Sequence, residues 1–157
     1  MTTATSNALA TYRLAVFSDH REYPDDSIDL LVTARWLPRV GDTLNFDGPG
    51  GVTLVAAVTS VMHCYGAPRD DFTEPVVDVD AKIPPHHIRH AEELFDPVAL
   101  VEWAQPFAFL EAQPSRQLVV QACVEVGMDS RTWETVTDWN DWAKEVRARR
   151  TTASELP

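Results

Sequence analysis

Apolar residues change their rhythm once along this chain, at Pro84-Pro85. Before that point they alternate with polar residues, the two-residue period of a strand with one buried face. After it they recur every third or fourth residue, the period of a helix with one apolar stripe, and four of the five tryptophans lie there. The break predicts an α+β fold, with a β module first and a helical cap second.

The β half reads as five strands. Tyr12 to Phe17 is the first. Ile28, Leu30, Val32, Ala34 and Trp36 form the buried stripe of a second, with Asp29, Thr33 and Arg35 on its other face. Pro38-Arg39-Val40-Gly41-Asp42 is a turn, since proline presets one dihedral and glycine permits a positive one. Thr43 to Phe46 is a short strand, and Asp47-Gly48-Pro49-Gly50-Gly51 is a glycine-rich loop. Val52 to Tyr65 is a long strand whose apolar parity drifts between Val58 and Val61, which marks a bulge or sharp bend. Val77, Val79, Ala81 and Ile83 alternate with Asp78, Asp80 and Lys82 in the last strand. Strands of this kind joined by tight turns favour a five-stranded antiparallel sheet, or a small barrel resembling the SH3-like barrels, closed so that no edge is left to recruit other strands.

The helical half opens on Pro84-Pro85-His86-His87-Ile88-Arg89-His90. Asp96-Pro97 is a helix start, with an acceptor at the N-cap and proline at the first helical position. Leu100, Trp103, Phe107 and Leu110 follow at helical spacing, interrupted at Pro106. Pro114-Ser115 opens a further helix that ends near Gly127. Ser130 caps a short turn carrying Trp133. Asp138 caps the last helix, with Trp139, Trp142 and Val146 on one side and Arg147, Arg149 and Arg150 near its end. The expected organisation is a tail over 1–11, a β module over 12–84, a helical cap over 85–150 and a tail over 151–157, in a single folded domain. Three to four helices cap the sheet. A chain of 157 residues buries about 70% of its unfolded surface, enough to need no disulfide or metal to fold.

Charge narrows the function. The formal net charge is −11, and thirteen basic residues face twenty-four acidic ones. Such a chain repels phosphate at long range, which argues against direct nucleic-acid binding. The acids cluster at Asp19, Glu22, Asp25, Asp26 and Asp29, and again at Asp70, Asp71, Glu74, Asp78 and Asp80. An acidic face of this kind docks a basic partner and speeds the encounter. Two cysteines without a CxxC partner read as reduced thiols in a cytoplasmic protein. The N-terminal stretch has neither the charged start nor the long apolar run of a signal peptide or anchor, so no membrane partner is expected.

Sites of chemistry are weakly marked. His86 and His90, four apart, with His63 at the end of the long strand, are the best candidate metal ligands. Asp78, Asp80 and Lys82, with an earlier acid such as Asp71, resemble the Asp-x-Lys spacing of PD-(D/E)xK nucleases, where the carboxylates hold a divalent ion and the lysine steadies a water. The glycine turn lacks the lysine and hydroxyl of a phosphate loop, no serine sits in a G-x-S-x-G elbow, and no cofactor is implied. The reading that remains is a non-enzymatic acidic binding or adaptor protein, a subunit or accessory factor of a larger assembly. Trp139, Trp142, Arg147 and Arg150 form its contact surface, and Asp25 and Asp26 steer the partner. The alternatives are a divalent-metal-dependent hydrolase or nuclease, and an acidic nucleic-acid mimic that inhibits a DNA-binding protein.

Overall fold

The computed structural model describes residues 9–19, 26–65 and 76–155. The architecture is α+β, a curled half-barrel sheet followed by four helices. The strands are β1 (Ala10–Phe17), β2 (Ile28–Ala34), β3 (Thr43–Asp47), β4 (Thr53–Cys64), β5 (Val76–Lys82) and β6 (Leu110–Ala112). They form one sheet in the order β3-β4-β5-β1-β2-β6.

Three features differ from the sequence expectation. The sheet is open, with β3 and β6 at its edges, so it does not close into a barrel. One pairing is parallel: β1 lies between β2, which runs antiparallel to it, and β5, which runs parallel. The sixth strand comes from beyond the double proline. Leu110, placed by spacing on a helix face, pairs instead with Val32 of β2. Pro106 accounts for this, because the helix before it stops at Ala104 and the chain turns and bends over 105–109 before entering β6. The local alternation is then that of a strand, with Leu110 and Ala112 buried and Glu111 exposed.

The drift of parity in β4 is a register shift between Val58 and Ser60. Leu54, Ala56 and Val58 point into the core before the shift. After it Ser60 and Met62 face outward, opposite Asp80 and Asp78. On the inner face Leu14, Val16, Ile28, Leu30, Leu54 and Val79 are essentially fully buried. Each such side chain contributes about 1.5–3 kcal/mol on leaving water, so this face, rather than any surface ion pair, holds the sheet to its helices.

Those helices are α1 (Ile88–Ala91), α2 (Pro97–Ala104), α3 (Arg116–Glu125) and α4 (Trp139–Glu155). Asp96 caps α2 by accepting from the Val98 N–H at 3.3 Å, and Ser115 caps α3 by accepting from the Leu118 N–H at 3.4 Å. Gly127, at φ +74, ends α3 with a left-handed residue, and the Met128 N–H reaches back to the Cys123 carbonyl at 2.8 Å. Asp129 rather than Ser130 caps the 3-10 turn over Ser130–Glu134. Asp138 caps α4 through the Asn140 N–H at 2.9 Å. This last helix does not stop at 150 but runs to Glu155, and the Thr151 hydroxyl bonds back to the Arg147 carbonyl at 3.0 Å. Among the described residues no helix is long and apolar enough to cross a membrane.

One contact ties the helices to the β3–β4 hairpin. The Trp103 indole N–H donates to the Val52 carbonyl at 2.9 Å, and its ring lies against Phe107 with centroids 4.9 Å apart. The ring passes so close to Gly48 that a Cβ there would sit 1.8 Å from Nε1. Gly48 has an ordinary extended conformation (φ −107, ψ 179), so it is glycine for space and not for backbone freedom. Gly50, at φ +70, is the reverse case, since a Cβ there would meet nothing within 4 Å. Gly48→Ala is therefore expected to lower stability by about 1–3 kcal/mol through overpacking, at about 2–4 °C of melting temperature per kcal/mol for a chain of this size. Near-UV circular dichroism should show the Trp103 signal change in Gly48→Ala and persist in Gly50→Ala.

Candidate functional site

The outer face of the sheet is open, and its centre is built by three strands. Alternation puts Arg13 and Ala15 of β1, Asp29 and Leu31 of β2, and Asp78, Asp80 and Lys82 of β5 on this side. Register then decides who stands beside whom. Ala15 is opposite Asp29 in β2 and opposite Asp80 in β5, so one small methyl group separates two carboxylates. Strand spacing places their Cα atoms about 9–10 Å apart. Ser60 of β4 lies beyond Asp80, and the Gln113 N–H donates to the Asp29 carbonyl at 2.9 Å on the far side. Because Ala15 fills little space, the row sinks into a hollow of about 410 Å³, lined also by Arg13, Met62 and Asp78.

The charges in the hollow are unevenly paired. Arg13 grips Asp78 with both arms of its guanidinium, at 2.6 and 3.0 Å. The Cys64 thiol also donates to Asp78, at 3.5 Å. Burial first, and then the neighbouring Asp78, push the Cys64 pKa up, so the sulfur is held as a thiol and is a poor nucleophile. Lys82 turns away to Asp19 at 2.8 Å. Asp29 accepts from the Ser27 hydroxyl at 3.0 and 3.1 Å. Its carboxyl is pushed above the usual range, mainly by burial and further by the charge of Asp80, with the Ser27 bond pulling the other way. Among the described residues no basic side chain pairs with Asp29 or Asp80. The carboxylate oxygens of Asp29 and Asp80 can thus accept hydrogen bonds from a cationic group.

The contact surface expected on α4 is divided, with Trp142 buried in the core and Arg147 exposed. Trp142 is 4% exposed and meets Trp139 edge to face, with centroids 5.4 Å apart. Its indole nitrogen is the one buried side-chain polar atom without a partner among the described residues. Arg147 bonds Glu102 at 3.0 and 2.7 Å, and Arg150 bonds Asp96 at 2.7 and 3.0 Å, so both guanidinium groups fasten α4 to α2 and its cap. Trp139 is half-buried. Asp25 lies outside the described residues, as do Glu22, Asp70, Asp71 and Glu74, and Asp26 is half-buried. Trp36, expected in the buried stripe of β2, is 78% exposed because the strand ends at Ala34 and the chain bends away.

The histidines do not gather. His63 is exposed near the end of β4, and His86 and His90 fall in separate turns at the start of the helical half. Among the described residues no three His, Cys, Asp or Glu side chains converge to hold a metal ion. Of the nuclease-like set, Asp78, Asp80 and Lys82 share the outer face, but Asp78 is taken up by Arg13 and Lys82 by Asp19. What the sequence did not disclose is Arg13, Ala15, Ser60 and Gln113, and the meeting of Asp29 with Asp80. Each acid shows its outward parity locally, and nothing local shows that β1 comes between them. Comparison with protein-family models, with curated proteins and with solved structures finds no match to this chain.

Two outcomes follow from these pairings. Asp96 is both the cap of α2 and the partner of Arg150. Asp96→Ala should cost about 1–3 kcal/mol and Arg150→Ala about 1 kcal/mol or less, read from denaturant midpoints. Asp29 has a folded pKa above its unfolded value, so its favourable contribution is complete below the ordinary carboxylate range and is lost as pH rises through the folded pKa. Asp29→Asn should therefore raise the melting temperature at neutral pH and narrow its gap to the wild type in acid; a lower melting temperature at neutral pH would refute this account.

Proposed function

We propose that this chain is a non-enzymatic binding protein, a subunit or accessory factor of a larger assembly, whose acidic hollow receives a basic side chain of a protein partner. The observation that carries this reading is the pair Asp29 and Asp80 on either side of Ala15, without a basic counterpart among the described residues, next to an Arg13 already committed to Asp78. A guanidinium lowered onto Ala15 would offer donors to both carboxylates, and hydrogen bonds between charged groups are about twice as strong as neutral ones. It would also relieve the cost of Asp29, whose charge is held in a half-buried position by a single hydroxyl. The net charge of −11 draws a basic partner in from a distance and accelerates its arrival.

Calorimetric titration with hexa-arginine at low and moderate salt tests the reading. Binding is expected, weakening as salt rises. Loss of a charged hydrogen-bond acceptor costs about 1.5–3 kcal/mol, so Asp29→Asn with Asp80→Asn should reduce affinity at least tenfold. Ala15→Phe, which fills the floor without altering charge, should reduce it as well. Equal affinity for the wild type and the double asparagine variant would remove the hollow as the binding site.

A further inference from the structure

Two main-chain positions on β6 point away from the sheet. Glu111 lies opposite Leu31 of β2. The Thr33 N–H donates to the Phe109 carbonyl at 3.0 Å, and the Gln113 N–H donates to the Asp29 carbonyl at 2.9 Å. Antiparallel ladders alternate, so the main-chain groups of Phe109, Glu111 and Gln113 face β2, and those of Leu110 and Ala112 face the other way. β6 is the last strand of the sheet, and among the described residues nothing bonds to the N–H or carbonyl of Leu110 or Ala112. Both residues are themselves buried, at 9% and 7% exposure. Main-chain groups of buried residues are nearly always paired, so two donors and two acceptors are left here for a partner from outside the fold.

Beside this edge runs a groove of about 240 Å³, between β6, the end of α2 and the start of α4. Val101, Ala104, Leu110 and Trp139 give it apolar walls, Glu111 and Asp138 give it charge, and no basic residue lines it. Small-molecule pockets start at about 300 Å³, so this one suits a side chain from a strand laid along β6. Alternate residues of such a strand would bond Leu110 and Ala112 and turn their side chains into the groove, and the residue between them would stand beside Glu111 on the outer face. We propose that the free edge of β6 is a strand-addition site, which takes an extended, basic segment of a partner protein alongside Leu110 and Ala112. Charge selects this occupant over a second copy of the chain. Glu111 is exposed and makes no salt bridge among the described residues, so a basic residue directly opposite it is favoured. The β6 of a second copy, laid antiparallel about Glu111, would instead set one Glu111 against the other on two chains each at −11. Three residues make a short edge, which limits the contact to a weak, transient one. The edge uses neither the Asp29 nor the Asp80 carboxylate, so it stands independently of the hollow.

Nuclear magnetic resonance titration of the isotope-labelled full chain with the pentapeptide acetyl-Thr-Val-Lys-Val-Thr-amide, up to several millimolar, tests the proposal. The expected result is saturable shifts centred on Leu110, Glu111 and Ala112, with slowed amide exchange at Leu110 and Ala112. Methylating both valine nitrogens removes the peptide's donors to β6 and should weaken binding about tenfold. Glutamate in place of the peptide's lysine should weaken it severalfold, and Glu111→Lys in the protein should reverse that preference. Ala112→Pro removes an N–H that β2 does not use, a change that an edge strand tolerates, and should also weaken binding about tenfold. Should the proline variant not fold, the methylated peptide decides the same point on the wild type. No saturable shift, equal binding of the methylated peptide, or self-association through β6 in place of peptide binding would each overturn the proposal. So would shifts confined to Ala15, Ser60 and Asp80, which would assign the peptide to the hollow and leave the hollow's reading standing. A chain that ignores the pentapeptide but binds hexa-arginine through Asp29 and Asp80 loses the edge site alone, and one that binds neither loses both.

Discussion

The parallel pairing of β1 with β5 is the contact on which the rest of the molecule depends. On one side of it lies the antiparallel run β3-β4-β5, and on the other the antiparallel set β1-β2-β6. Each run is a local product of turns and alternation, and neither covers its own apolar face. Joining them along β1 makes a single surface broad enough for the helices to bury. The two strands are separated in the chain by β2, β3 and β4, so the joint closes a long loop at an entropic cost. The same joint places Ala15 between Asp29 and Asp80. The core and the candidate site are two faces of one pairing.

What was legible in the sequence is what local physics decides. Alternation marked β1, β2, β4 and β5, parity drift marked the bulge in β4, and Asp96, Ser115 and Asp138 marked helix starts, because each signal is written within a few residues. What was not legible depends on distant partners. Parallel and antiparallel neighbours demand the same alternation, so β1–β5 could not be told from a meander. A three-residue strand such as β6 is too short to show a period, and Leu110 also satisfies a helical spacing. Trp36 continues the parity of β2 by two residues, but parity does not say where a strand stops.

The site was legible only in part, for the same reason. Asp78 and Asp80 declare a shared face, and Asp29 declares an outward position, but their meeting belongs to the register. On α4 the expectation for Trp142 failed the other way. Tryptophan and arginine are enriched at interfaces between proteins and equally suited to fastening one helix to another. Composition does not distinguish the two uses. Burial settles it for Trp142, while Arg147 and Arg150 pair with Glu102 and Asp96 and Arg147 stays exposed. Trp36, whose neighbours suggested a core residue, is the tryptophan that faces water.

The change of rhythm at Pro84-Pro85 divides the chain by local character, but it does not divide the molecule. The helical half returns β6 to the edge of the sheet and sends Trp103 to the Val52 carbonyl in the β3–β4 hairpin. Two polypeptides separated at that boundary would each lack a piece of their own interior, the first an edge strand and an indole, the second the surface its helices lie on. They would have to find one another to become ordered, which makes the double proline a natural seam for a split reporter assembled from two otherwise unfolded fragments.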